Sequence, residues 1–116
     1  QSYDMAGEVI SSGQYGLLTN YADVWREVGE NKAESIFEVQ ATLTNGLRDY
    51  TNVQGPRGTP DLGWGFNAPS ANLANSFESG DVRRSASIMF VPSVLWDNFV
   101  APATWANPRY NYKAYQ

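Results

Sequence analysis

The sequence predicts a mainly α chain with long irregular loops and a few short strands. Three observations lead there. Apolar residues recur at helical spacing in three segments that carry capping residues, and a glycine- and proline-rich stretch over 43–69 lacks such spacing. Short alternating apolar runs stand apart from both.

The first helix rests on Tyr3, Ala6 and Ile10, which share one face with Val9 beside them; Ser2 is placed to cap it. Ser11-Ser12-Gly13 ends it, with Gly13 suited to a left-handed position past the C-terminus. Tyr15, Leu17 and Leu18 form an apolar connector. Asn20 then caps a second helix, in which Tyr21, Val24, Trp25 and Val28 recur at i, i+3, i+4 and i+7. Asp23 lies near its positive dipole end, Gly29 stops it, and Trp25 reads as core packing. In "ESIFEVQ", 34–40, Phe37 and Val39 share a side with Ala41 while Glu38 and Gln40 face away, which predicts a short strand. Residues 43–69 read as one long loop, a length uncommon in compact domains unless the loop is functional or disordered.

A third helix is expected over 70–79, capped by Ser70, with Leu73 and Phe77 facing the core and Gly80 terminating it. Arg83 or Arg84 is expected to pair with Asp81 and fix the helix exit. "SASIMFV", 85–91, predicts a strand before Pro92. Pro92, Pro102 and Pro108 prevent the rest of the chain from forming one helix. Trp96, Trp105, Tyr110, Tyr112 and Tyr115 read mostly as anchors that tie this tail to the domain.

Composition removes several function classes. The 116 residues carry 8 Lys and Arg against 12 Asp and Glu, a net charge of −4. That balance disfavours nucleic acid, which needs clustered cations to displace counterions. No cysteine or histidine is present, so the usual nucleophile–base triads and dyads are impossible within these residues. A glycosidase needs only two carboxylates. Glu34 with Glu38, or Asp49 with Asp61, are the pairs to nominate, and solvated surface acids are the default reading for all four. Gly63-x-Gly65 lacks the later glycine and lysine of a phosphate loop, and no calcium-loop spacing of acids occurs. No metal or cofactor is expected. Because the first apolar face opens at the start of the chain and no methionine precedes it, the chain is expected to be a mature product or a segment of something longer, the segment being the favoured reading.

The most informative stretch is Gly63-Trp64-Gly65-Phe66-Asn67. A large ring set between glycines suits a surface that stacks on the flat C–H face of a sugar, with Asn67 as a rim hydrogen-bonding group. The competing reading has Trp64 plugging the loop onto the core. Tyr50, Asn52, Arg57 and Asp61 lie in the same long loop and are further candidate rim residues.

Four landmarks in order, "GEVISSGQYGL" (7–17), "YADVWREVGENKAESIFEVQ" (21–40), "GWGFNAPSANLANSFESGDVRRSASIMF" (63–90) and "NPRYNYKAY" (107–115), resemble the C-terminal half of SusD/RagB family proteins. The resemblance covers nearly the whole chain and rests on the order and spacing of these landmarks. It implies a SusD-like fold in which helices belong to a tetratricopeptide-type framework, with irregular segments shaping the ligand surface. It also implies capture of a glycan, or sometimes a peptide, and no catalysis. The location implied is the outer membrane of Bacteroidota-type bacteria, facing outward. The partners implied are an oligosaccharide or polysaccharide and a SusC-like TonB-dependent transporter. The family's lipid anchor sits on a cysteine, which these residues lack. By this resemblance, 1–116 are a C-terminal segment and not a complete domain. The alternative is a protein-interaction module whose aromatic tail docks a partner without binding glycan.

Overall fold

A computed structural model describes residues 1–40, 49–57 and 63–115. Contacts divide the chain into two units, 1–40 and 41–116.

The first unit opens with helix α1, Ser2–Ser11. Ser2 lies inside the helix and Gln1 occupies the cap position without a side-chain bond, so the expected Ser2 cap is not formed. Gly13 takes the left-handed backbone its position called for, φ 65°. Asn20 caps the next segment by accepting from Ala22 N–H at 3.2 Å. That segment is two 3-10 turns, Tyr21–Trp25 and Glu27–Gly29, and not one α-helix. Arg26 between them is extended, φ −122° and ψ 155°. Gly29 lies against the carbonyl of Asp23 so closely that a Cβ there would collide with it, which holds the chain in the tighter path. Residues 34–40 pair with no strand among the described residues. Polar contacts organise them instead. Glu34 Oε2 accepts from Leu18 N–H at 2.8 Å, and Glu38 accepts from Asn31 N–H at 3.0 Å.

No residue of 1–40 is buried. Tyr3, Met5, Val9 and Ile10 of α1 stand exposed, as do Ile36, Phe37 and Val39. Exposed apolar area on this scale is the usual mark of an interaction surface. The isolated chain is therefore expected to self-associate, or to need further protein against this unit. Sedimentation showing a monodisperse monomer that also melts cooperatively would contradict this.

Among the described residues, the second unit contains three α-helices of six residues each, α2, Asp49–Gln54; α3, Ala71–Ser76; and α4, Val82–Ser87, and a 3-10 turn at Tyr112–Ala114. Two antiparallel strand pairs occur among the described residues. β1 (Ile88–Phe90) pairs with β4 (Arg109–Asn111), setting Met89 opposite Tyr110. β2 (Ser93–Val94) pairs with β3 (Val100–Ala101), setting Val94 opposite Val100. The core forms where these pairs meet the aromatic tail: Met89, Leu95, Ala101, Trp105, Tyr110 and Tyr115, with Val91, Phe99 and Tyr112 against them. Trp105 stacks on Phe99 and meets Tyr110 edge to face at 5.6 Å. The tail thus acts as the anchor its aromatics suggested, with Trp96 an exception that stays exposed.

The expected mainly α, tetratricopeptide-type framework is not what forms. Such a framework stacks helix pairs that bury a continuous face against their neighbours. Helices of six residues make fewer than two turns, and the buried cluster is drawn from strands and aromatics. Three local expectations shift with it. The supposed loop 43–69 contains α2, residues 85–87 end a helix before the strand begins, and the third helix stops at Ser76. Ser70 caps α3 as expected, accepting from Leu73 N–H at 3.1 Å, but Leu73 itself is 49% exposed and Ala74 is the buried residue. Arg84 lies on the buried side of this helix: its Nε donates to the Ala74 carbonyl at 2.9 Å while its guanidinium covers the Phe90 ring.

Asp81 accepts from Arg83 N–H at 2.9 Å, capping α4, and binds the Arg83 guanidinium at 2.6 Å. The Arg83 side chain first, and its backbone N–H second, hold the Asp81 carboxyl below the usual aspartate range. The folded-state value is lower than the unfolded one. The contact therefore stabilises above the unfolded value and is lost as pH falls through the folded value. Melting temperature is expected to drop less steeply on acidification in Asp81→Asn than in the parent. Parallel acid profiles would remove Asp81 from the response.

Candidate functional site

The site grows from the end of α2. A short helix leaves its last carbonyls without partners. Here the segment 63–66 runs back along them and supplies donors. Trp64 N–H donates to Asn52 O at 2.9 Å, Phe66 N–H to Val53 O at 3.0 Å, and Gly65 N–H to Gly55 O at 2.9 Å. Glycine is required for this approach. A Cβ on Gly63 would stand 2.5 Å from Asn52 O and 2.8 Å from Gly55 Cα. Gly65 has φ 76°, and a Cβ there would lie 2.8 Å from Arg57 Cβ. The glycines therefore let two backbone segments touch, and the rings between them are pushed outward. Trp64 and Phe66 are each 60% exposed and meet edge to face, centroids 6.1 Å apart. Trp64 is not a plug.

Beside the rings lies a side-chain amide cluster. Gln54 Oε1 accepts from Asn67 Nδ2 at 2.7 Å and from Asn111 Nδ2 at 3.0 Å. Asn67 sits at φ 58°, a left-handed backbone that asparagine tolerates better than most residues. Beneath the rings, the Tyr110 hydroxyl donates to the Arg57 carbonyl at 3.0 Å and accepts from Asn107 N–H at 3.2 Å. Arg109 Nε donates to Pro69 O at 3.0 Å, tying β4 to the start of α3. The exposed rings thus stand on a backbone bonded at several points to the buried cluster.

The structure brings Trp64, Phe66, Asn67 and Arg57 together. Asn52 contributes through its carbonyl, as a positioning group under Trp64. Tyr50 lies in α2, its side chain outside the described part, and Asp61 lies outside the described residues. Gln54 and Asn111 are residues the sequence reading did not single out. Asn111 falls in the "NPRYNYKAY" landmark, whereas nothing in the sequence marks Gln54.

Among the described residues no cluster of metal-ligating side chains occurs. The nominated carboxylates Glu34 and Glu38 both serve local structure. Hydrogen bonds from the Ser35 side chain, the Asn31 backbone and the Gln40 side chain pull the Glu38 carboxyl below its ordinary range, the opposite of what a general acid requires. Side-chain geometry for Asp49 and Asp61 lies outside the described part. No family model, curated protein or solved structure matches this chain.

Proposed function

We propose that this chain captures a glycan, or another nutrient molecule, on the Trp64–Phe66 face. In this reading it works at a bacterial outer membrane as part of a lipid-anchored protein and hands its ligand to a SusC-like TonB-dependent transporter. The observation that carries the binding step is the pair of exposed rings held on a backbone closed against α2. Rings of this kind give contact area at small entropic cost, and here their backbone is fixed before any ligand arrives. Asn67 adds a rim carbonyl whose amide is already oriented by Gln54. The location and the transporter rest on the resemblance of the four sequence landmarks to SusD/RagB proteins.

Trp64→Ala is the test. Because the ring is exposed, truncation should leave the melting temperature nearly unchanged while weakening glycan binding by about 1–3 kcal/mol, the range of aromatic stacking contacts. A variant that melts early, with its folded fraction binding normally, would end this reading. Catalysis is not part of the proposal, and reducing-end release lost on Glu34→Gln or Glu38→Gln would overturn that.

A second reading, a protein-docking module, is favoured by one observation. Val94, Trp96 and Val100 are all exposed on or beside the β2–β3 hairpin. Under it, Trp96→Ser weakens retention of a protein partner, and the parent protein binds no soluble oligosaccharide; glycan binding by the parent would count against it.

A further inference from the structure

We infer that the Trp64–Phe66 face takes acidic glycans, those carrying a carboxylate on the sugar, and that Arg57 is the residue that selects them. This rests on the glycan-capture reading above and specifies its ligand. Arg57 joins the site through its backbone. Its carbonyl accepts from the buried Tyr110 hydroxyl, and its Cβ lies against Gly65, the residue that separates the two rings. The side chain therefore starts within the ring platform.

Among the described arginines of this unit, Arg57 differs in having no side-chain partner within the described residues. Arg83 is paired with Asp81, Arg84 with the Ala74 carbonyl and the Phe90 ring, and Arg109 with the Pro69 carbonyl. Arg57 is exposed and has no ion pair among the described residues. Two acids of the same unit are occupied elsewhere: Asp81 with Arg83, and Asp97 with the Tyr115 hydroxyl and Phe99 N–H. Among the described residues, the rim near the rings is otherwise neutral amide, from Asn67, Gln54 and Asn111.

A ligand that matches this set offers a C–H face to the rings, hydroxyls to the amides and an anion to the guanidinium. A planar carboxylate fits that fork through two parallel hydrogen bonds. A uronic acid unit carries all three. A neutral sugar leaves the cation unused, and an inorganic anion leaves the rings unused.

The experiment presents the full-length protein with an array of uronate-containing oligosaccharides beside their methyl-esterified neutral counterparts and sulfated glycans. It is repeated with Arg57→Gln, Arg57→Lys and Trp64→Ala, after melting curves establish that each variant is folded. The expected result is preference for the free uronates over their esters. Arg57→Gln should lose about tenfold or more on the uronates, as expected for hydrogen bonds to a charged group, and clearly less on the esters. Arg57→Lys should recover only part of the loss, and uronate binding should weaken with salt. Equal binding of acid and ester, indifference to Arg57→Gln, or preference for sulfated over carboxylated glycans would overturn the inference. If Trp64→Ala still weakens binding in those cases, glycan capture survives without it. If no glycan binds, or Trp64→Ala changes nothing, both fall.

Discussion

Tyr110→Ala is expected to destabilise the second unit by about 3–5 kcal/mol, the range for deleting a buried large aromatic, and to remove ligand binding with it. Tyr110 is 0% exposed, packs edge to face on Trp105, and faces Met89 across the β1–β4 ladder. Its hydroxyl also joins the core to the site, donating to Arg57 O and accepting from Asn107 N–H. Tyr110→Phe separates these roles. It keeps the ring and leaves two backbone groups short of a partner, for which about 1–3 kcal/mol is expected. Denaturant unfolding of both variants measures the difference. A Tyr110→Ala midpoint no lower than that of Tyr110→Phe would mean that the ring is not a keystone of this core.

Gly65→Ala is expected to be nearly as damaging. The left-handed backbone costs a residue with a Cβ about 1–2 kcal/mol, and the methyl must also be accommodated 2.8 Å from Arg57 Cβ, an overpacking cost of about 1–3 kcal/mol. Gly63→Ala meets backbone on the other side of the same contact, Asn52 O and Gly55 Cα. Either change should pry 63–66 away from α2 and displace the rings. The signature is loss of binding together with loss of stability, whereas Trp64→Ala loses binding alone. Alanine at Gly80 is the comparison. It shares the left-handed backbone, φ 81°, but a Cβ there meets nothing within 4 Å. If Gly65→Ala costs no more than Gly80→Ala, the close approach carries no energy of its own.

The parts of the fold legible in the sequence are those fixed by one residue's own chemistry. Asn20 and Ser70 cap where their side chains can reach a free N–H. Gly13 turns where φ is positive, and Asp81 meets Arg83 two residues on; Gly80 also has positive φ, but the helix it was expected to terminate already ends at Ser76. The parts that were not legible depend on partners distant in sequence. α2 contains Thr51 and Val53, poor helix formers, and its end is closed by donors from 64–66. The periodicity at 21–28 is helical, but the contact of Gly29 with Asp23 sets a tighter path. Leu73 has the spacing of a core residue and lies outward, while its neighbour Ala74 is buried and its carbonyl accepts from Arg84, ten residues on.

The candidate site divides in the same way. Trp64, Phe66 and Asn67 drew notice as ring and amide types beside glycines, although the glycines serve backbone contact and not ring freedom. Gln54 escaped because its role is to accept from residues 13 and 57 positions away.

The closure of α2 by the amides of Trp64, Gly65 and Phe66 makes those three protons a built-in reporter. Each is committed to a carbonyl of 52–55, so each exchanges with solvent deuterium only when that closure opens. A ligand resting on the rings adds to the work of opening, and the three amides should slow together as the site fills. Occupancy of the face would then be read from the backbone beneath it, with no label on the ligand and no change to the rings themselves.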